Sequence, residues 1–449
     1  MKRIACILAS LLLLLACVPT PEEEFVVNKG DADPAEIAEN ARGEGGTDLS
    51  TVPEHLSLQT EPQKYVTVKV DADIAIDRDG VFPVLEVRQK NTPQDPAFYG
   101  ALIKALCPDG TVYERWTRTK GEIQEELVAA LSYDGQAGSL VDIDNEYIAY
   151  LEEQYRNAPE TVERIRHSAS EGFEQNKRYY IVQPDGTVAL FGFGQRCSEG
   201  YFYDDFHTAY YTEDALEKGD APLSGNPPIT EQEAIRAADA FIKALGVECD
   251  ANIAAERGFA FSATRLVRED TVWWVHYLRR VGTTCSLDMR DVIGYSYPSE
   301  PSSTLGAPWE GIESIHVVVG KDGVRAVLWD GLAETTRVLQ KNAALCDFDR
   351  ITERFTAQLG FQYTPHAENG EEPAPLTVLV SRIALVYGVV SEKDRRDVGT
   401  YLPLWEISYA IEGEQTPGVW KMYLSALDGG TVEPRITTDN LARAAMEEP

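Results

Sequence analysis

Asp-Gly falls between strand-like runs again and again in this 449-residue chain, at Asp79-Gly80, Asp109-Gly110, Asp185-Gly186, Asp322-Gly323 and Asp428-Gly429. Tight hairpin turns need positive φ, which Gly and Asp accept at low cost. The flanks agree. Tyr179-Tyr180-Ile181-Val182 precedes one such turn and Val188-Ala189-Leu190-Phe191 follows it; Ile315 to Val319 precedes another, with Val324 to Trp329 after it. β-Branched and aromatic residues on both sides of a reversal fit neighbouring strands of an antiparallel sheet. Antiparallel sheets with packed helices, an α+β fold, are therefore expected.

Helices punctuate the strands. Thr230-Glu231-Gln232-Glu233 is a capping box, Ala234, Ala237, Ala238, Phe241, Ile242 and Leu245 follow on one helical face, and Gly246 closes the segment. A second helix is expected from near Asp347, burying Phe348, Ile351, Phe355 and Leu359 and stopping at Gly360. Helices are also expected over 97–106, 122–131 and 144–167, the last interrupted near Pro159. Similar sequence follows the two later helices: 259–267 and 271–283 after Gly246, 377–390 and 401–412 after Gly360, each half ending in an Asp-Gly hairpin. The spacing predicts a helix-plus-sheet unit present twice, at about 228–330 and 340–435, within a C-terminal α+β domain over 228–449. Leu223-Ser224-Gly225-Asn226-Pro227-Pro228 reads as the linker from an N-terminal α+β domain over 64–222.

The N-terminus reads as an export signal. Lys2 and Arg3 precede an apolar run from Ile4 to Leu15, too short to span a hydrocarbon core of roughly 30 Å. Leu14-Leu15-Ala16-Cys17 is a lipobox-like end to it, so 1–16 is expected to be a lipoprotein signal peptide. Two acyl chains on Cys17, at about 0.8 kcal/mol per buried CH₂, would hold the protein on a membrane. Cleavage there removes Lys2 and Arg3 and no acid, taking the formal charge from −32 to −34. The stretch 17–63 is poor in large apolar residues; between Glu22 and Glu61 it has 11 acids against Lys29 and Arg42, so a disordered acidic tether is expected. With 73 Asp+Glu against 41 Lys+Arg, the whole chain repels phosphate backbones, and no nucleic-acid partner is expected.

Pro308-Trp309-Glu310-Gly311-Ile312, a hairpin ending at Trp329, and Asn342 to Leu359 follow one another in the C-terminal half. Arg382-Ile383-Ala384-Leu385-Val386-Tyr387, Pro403-Leu404-Trp405 and Leu424 to Gly430 come after. In that order, behind a lipobox and Pro19-Thr20-Pro21-Glu22-Glu23-Glu24, they resemble a family of uncharacterised Firmicutes lipoproteins, a domain of unknown function. The likeness runs along most of the chain, most specifically over about 228–435. The helix-then-sheet copies are also similar to PepSY and YycH/YycI-type envelope modules. The resemblance implies an extracytoplasmic, lipid-anchored protein in which thioether diacylglycerol sits on Cys17, and it supplies no catalytic residue.

Catalytic and metal-binding motifs are missing. His55, His167, His207, His276, His316 and His366 are too widely spaced for a zinc motif. His276 and His316 lie in strand patterns, where structural, hydrogen-bonded imidazoles are expected. Asp77, Asp79, Gly80 and Glu86 match calcium-loop positions 3, 5, 6 and 12, but Ala75 and Pro83 stand where ligands are needed, and a Gly-turn hairpin explains the same residues. Gly294-Tyr295-Ser296-Tyr297-Pro298 lacks the last Gly of a nucleophile elbow. Of Cys107, Cys197, Cys249, Cys285 and Cys346, an odd number, Cys249 and Cys285 are close enough in sequence to pair or to remain buried thiols. Trp273, Trp274, Trp309, Trp329, Trp405 and Trp420 suit core packing against sheets, with stacking on a sugar or peptide as the other use.

No catalytic residue, metal or cofactor is expected, and Cys17 is the one assigned position. The expected function is a non-catalytic binding or envelope-regulatory module on the extracytoplasmic face of the cell membrane. Its partners would be membrane lipid through Cys17 and an envelope protein, peptide or glycan. A transporter's solute-binding lipoprotein is the alternative, though it calls for parallel βαβ units; a hydrolase built from scattered carboxylates is another.

Overall fold

The computed structural model describes residues 49–133, 143–159, 161, 163–167, 172–194, 200–216, 222–223, 225–287, 313–364, 372–392, 395–413 and 419–432. Cys17 with its lipobox, the tether up to residue 48, Cys197 and Trp309 lie outside these residues. The segment 49–63, expected as tether, belongs to the fold: a turn at Leu49–Thr51 leads into β1 (His55–Gln63). Alternation explains it, because Leu56 and Leu58 share one face of that strand and pack on a core.

The first half continues with β2 (Val66–Ala75), β3 (Val84–Gln89), α1 (Pro96–Leu106), β4 (Thr111–Trp116), α2 (Lys120–Leu131) and α3 (Asn145–Asn157). Then come β5 (Arg164–Arg166), β6 (Arg178–Val182), β7 (Val188–Phe193), β8 (Gly200–Tyr203) and β9 (Thr208–Thr212). The second half holds α4 (Glu231–Leu245), β10 (Ala251–Ser262), β11 (Val267–Leu278), β12 (Arg280–Val281), β13 (Thr284–Cys285), β14 (Ser314–Gly320), β15 (Gly323–Asp330) and β16 (Ala333–Gln340). It ends with α5 (Phe348–Gln362), β17 (Leu376–Glu392), β18 (Arg395–Ile411), β19 (Trp420–Ser425) and β20 (Thr431–Val432). The helix expected over 144–167 stops at Asn157, and β5 occupies part of its range.

Two large sheets result, and the fold is α+β. The first runs β1-β2-β17-β18-β19-β20, with β3 bonded to β16 and β18; the second runs β5-β4-β6-β7-β8-β15-β14-β11-β10-β9. Their neighbours are antiparallel except β2 and β17. The division expected between 222 and 228 does not follow the sheets. β2 and β3 pair with strands from the far end of the chain, and β4 to β9 join β10, β11, β14 and β15. Strands pair where their apolar faces match, and here that match overrides chain order.

Helices and hairpins recur in the second half. α4 precedes the β10–β11 and β14–β15 hairpins, and α5 precedes β17–β18 and β19–β20, with β11 beside β14 as β18 is beside β19. The two sets lie in different sheets, each extended by an earlier strand: β9 beyond β10, and β2 beyond β17. Each helix buries its apolar face on its own sheet. Ala234, Ala238, Phe241, Ile242 and Leu245 of α4 join Tyr277, Val317 and Trp329; Phe348, Ile351, Phe355 and Leu359 of α5 join Val68, Ile383 and Trp405. The Thr230–Glu233 capping box and the left-handed Gly246 bound α4.

Three of the Asp-Gly pairs turn hairpins, at β6–β7, β14–β15 and β19–β20. The other two do different work. Asp79-Gly80 lies in a turn between β2 and β3, which are not paired, and there Asp77 accepts the Asp79 N–H at 3.1 Å. Gly110 lets the chain leave α1 tight against the sheet: a Cβ there would lie 2.3 Å from Ile181 Cγ2. Gly360 does not end α5, which runs to Gln362; its role is close approach, because a Cβ would meet Pro62 Cγ of β1 at 2.5 Å. Gly360→Ala therefore sets a helix-propensity gain of up to about 1 kcal/mol against an overpacking cost of about 1–3 kcal/mol. A net loss of stability is expected, read as a lower thermal midpoint.

Candidate functional site

Two groupings of polar and aromatic side chains bear most on function. The first is a closed node between the sheets. Arg279 and Glu313, each with a side chain 1% exposed, form a two-pronged pair just after β11 and just before β14. Arg279 also donates to the Ala333 carbonyl at 2.7 Å, to Thr335 Oγ1 at 3.1 Å and to Glu248. Glu313 accepts from the Ala333 N–H and from the Tyr401 hydroxyl, both at 3.0 Å. Burial and the Glu313 charge push the Tyr401 hydroxyl well above its ordinary range, so it stays a neutral donor. Ala333 and Thr335 come from β16 and Tyr401 from β18, while Arg279 and Glu313 flank β11 and β14, so the node ties one sheet to the other.

The second place is a face of the second sheet. One side of that sheet, carrying Tyr179, Phe191, Phe202, Val275, Tyr277, Val317 and Trp329, is covered by α1 and α4. Cross-strand partners share a face, so the registers place two neighbouring rows on the other side. One row is Arg178, Gly192, Tyr201, Leu328, His316 and His276; the next is Tyr113, Tyr180, Leu190, Tyr203, Ala326, Val318, Trp274 and Glu256. Tyr113, Tyr180, Tyr201, Tyr203, Leu328 and His316 are only partly buried.

The strip is coiled. β8 and β9 are separated by four strands in the sheet, yet the rings of Tyr203 and Tyr210 stack 6.2 Å apart. A hydrogen bond of 2.6 Å from Tyr210 to Asp204, and the Asp204–Arg325 ion pair, hold that seam. Burial raises the Asp204 carboxyl above its ordinary value, against the Tyr210 hydrogen bond and the Arg325 charge. Its partners are a phenol and a guanidinium, which is a structural arrangement and not the carboxylate pair a hydrolase would use.

His276 and His316 sit directly opposite each other on β11 and β14, Nδ1 to Nδ1 at 2.6 Å. Two imidazole nitrogens that close hold one proton between them, so one ring donates and the other accepts. Glu256 Oε1 lies 2.5 Å from Nε2 of His276, and the Trp274 ring is nearly parallel to that imidazole. The strand placement of both histidines was legible; their pairing was not. Trp274 fits on β10 only because Gly258 has no side chain, a Cβ there falling 2.5 Å from Trp274 Cδ1. At the other end, Trp116 stacks on Tyr180 at 6.0 Å, and Phe206 closes on both.

The remaining residues singled out from sequence are scattered. Trp329 and Trp405 are core; Trp273 donates to the Ile229 carbonyl at 3.0 Å; Trp420, 37% exposed, is on the first sheet. Cys107, Cys249, Cys285 and Cys346 are free thiols, so Cys249 and Cys285 are not joined, and burial pushes the Cys107 thiol up to about 12. Glu86 is bound to Arg337 and Thr336, away from any loop with Asp77 and Asp79. No group of three or more His, Cys, Asp or Glu among the described residues is placed to hold a metal ion.

Two histidines give a pH prediction. Hydrogen bonds to Asp73 and Asp71 raise His55 above 6.5, whereas burial lowers His207 below it. The His55 contacts favour folding below its unfolded value and lose that effect as pH rises through the folded value. His207 acts oppositely, its neutral burial costing stability as pH falls below 6.5. Assigned imidazole resonances should titrate in the order His207, then His55, as pH rises.

No protein-family model and no curated protein matches the chain. Among solved structures, the crystal structure of an uncharacterized protein from Eubacterium rectale is similar with a TM-score of 0.40 and 12% identity, covering 89% of this chain and 99% of that one.

Proposed function

We propose that the protein is a lipid-anchored, extracytoplasmic binding module, non-catalytic, that takes an envelope ligand on the aromatic and histidine-bearing face of its second sheet. One observation carries this reading. In a sheet whose other side is sealed by α1 and α4, this side aligns partly buried Tyr113, Tyr180, Tyr201, Tyr203, Leu328 and His316 beside a buried cluster of Tyr210, Trp274, Val318 and Ala326. Rings with polar tips set on rigid strands are what a recognition surface needs, since they present large contact area at little entropic cost.

The anchor is supported by the lipobox ending at Cys17 and by the acidic stretch that follows it. No described helix is long and apolar enough to cross a membrane. Cys17→Ser is expected to abolish acylation and leave an uncleaved or released protein. Fractionation and intact mass of the native molecule test this; unchanged membrane association and mass would refute the anchor.

A further inference from the structure

The first sheet ends in an open strand. β1 pairs with β2 on one side, and no described strand lies on the other. The Ile74 N–H donates to the Glu54 carbonyl at 2.9 Å. Bonded pairs alternate along an antiparallel ladder, so His55, Ser57 and Gln59 turn their N–H and C=O groups away from β2. The ladder is regular over this stretch, its register shifting only after Thr60. α5 approaches β1 farther along, where Gly360 meets Pro62.

Proteins blunt exposed sheet edges by shortening, bulging or charging them, and the other edges of this fold are treated so. β5 is Arg164-Ile165-Arg166 and β20 is only Thr431-Val432. β16 is bulged against β3 and exposes Glu334 and Arg337. β9 closes on β8 through the Tyr203–Tyr210 stack. β1 differs: over 55–60 it holds no Asp, Glu, Lys, Arg or Pro. Its His55 is bound by Asp71 and Asp73 of the neighbouring strand at 2.8 and 2.9 Å. Leu56 and Leu58 pack on the core beneath α5 and yet are only partly buried.

The edge is complementary to itself. Two antiparallel β1 strands centred on Ser57 would set His55 opposite the second copy's Gln59 and Ser57 opposite Ser57, closing about six hydrogen bonds. Leu56 of each copy would then face Leu58 of the other, on the side that α5 covers in both. Glu54 falls opposite Thr60 and Glu61 opposite Pro53, so no like charges meet. Centring on Leu58 instead pairs Leu56 with Thr60, and centring on Leu56 pairs Leu58 with Glu54. A slip of one strand by one residue puts the leucines on opposite sides. An unrelated strand would satisfy the backbone equally well, but the leucine match running both ways about one axis selects a second copy.

We propose that two copies of the chain associate edge to edge through β1, antiparallel about a two-fold axis at Ser57, joining their first sheets. One strand pair is a small contact for a protein interface, so the dimer is weak and reversible. The proposal is independent of what the second sheet binds.

The test is mild oxidation of the full chain carrying Ser57→Cys or Gln59→Cys in its native envelope. The two Ser57 Cα atoms would stand about 5.5 Å apart, within the disulfide reach of roughly 7 Å. The two Gln59 Cα atoms would lie about 13 Å apart along the ladder. Ser57→Cys should give a dimer that reductant dissolves, whereas Gln59→Cys and the parent, with its native thiols, should give none. Adding Gln59→Pro to Ser57→Cys should abolish the dimer with circular dichroism unchanged, because the N–H it removes points away from β2. No dimer from Ser57→Cys, an equal yield from Gln59→Cys, a dimer that survives Gln59→Pro, or an adduct with a different protein in place of a second copy would overturn the proposal. The two cysteine variants decide it alone if Gln59→Pro fails to fold.

Discussion

Arg279→Met is expected to lower the unfolding free energy by about 3–5 kcal/mol, because it strands the Glu313 carboxylate in the interior. Arg279 and Glu313 are each 1% exposed, and every polar atom of the pair is used by the other or by Ala333, Thr335, Glu248 and Tyr401. Removing the guanidinium leaves the carboxylate with the Ala333 N–H and the Tyr401 hydroxyl alone. A buried charge so abandoned costs far more than the intact pair contributes, since the pair has already given up its hydration. Adding Glu313→Leu to Arg279→Met should therefore recover part of the loss. Denaturant midpoints of the three proteins read this directly. Equal stability of Arg279→Met and the parent would mean that the node does not hold the sheets together.

Gly258→Ala is the second large effect, at about 2–3 kcal/mol of destabilisation, near the upper range for overpacking. The added Cβ would lie 2.3 Å from the Tyr211 carbonyl oxygen and 2.5 Å from Trp274 Cδ1. Backbone of β9 stands on one side and a buried indole on the other, so neither gives way easily. Trp274 would have to move, breaking its 3.0 Å hydrogen bond to the Tyr211 carbonyl. His276 follows, because its ring lies along the indole. A lower thermal midpoint together with altered tryptophan emission is expected; an unperturbed protein would show that β9 and β10 are less tightly coiled than described.

Local features were legible where local physics decides them. The capping box, the apolar stripe and Gly246 mark α4 within the sequence itself, and three Asp-Gly hairpins follow from turn chemistry. Pairing between distant strands was not legible. Nothing near Val66 says that β2 runs parallel to β17, some 300 residues on, and nothing near Asp322 says that β15 pairs with β8. For that reason the pairing of strands across residues 222–228 was not foreseen. The candidate face was hidden in the same way. Arg164-Ile165-Arg166, Arg178-Tyr179-Tyr180 and Tyr201-Phe202-Tyr203 each show the two-residue period that puts like side chains on one side. Only the registers align those sides into rows. Gly360 was misread because a glycine at a close helix–strand contact has the same sequence signature as one at a helix end.

The claim on which the rest depends is that ligand engages the sheet side facing away from α1 and α4. A photo-crosslinking residue placed at Tyr180, and separately at the exposed Val338 of β16, tests it in the native envelope. Adducts with envelope material from position 180 and none from position 338 are predicted. Adducts from position 338 alone would contradict the assignment and move the binding surface to the other sheet.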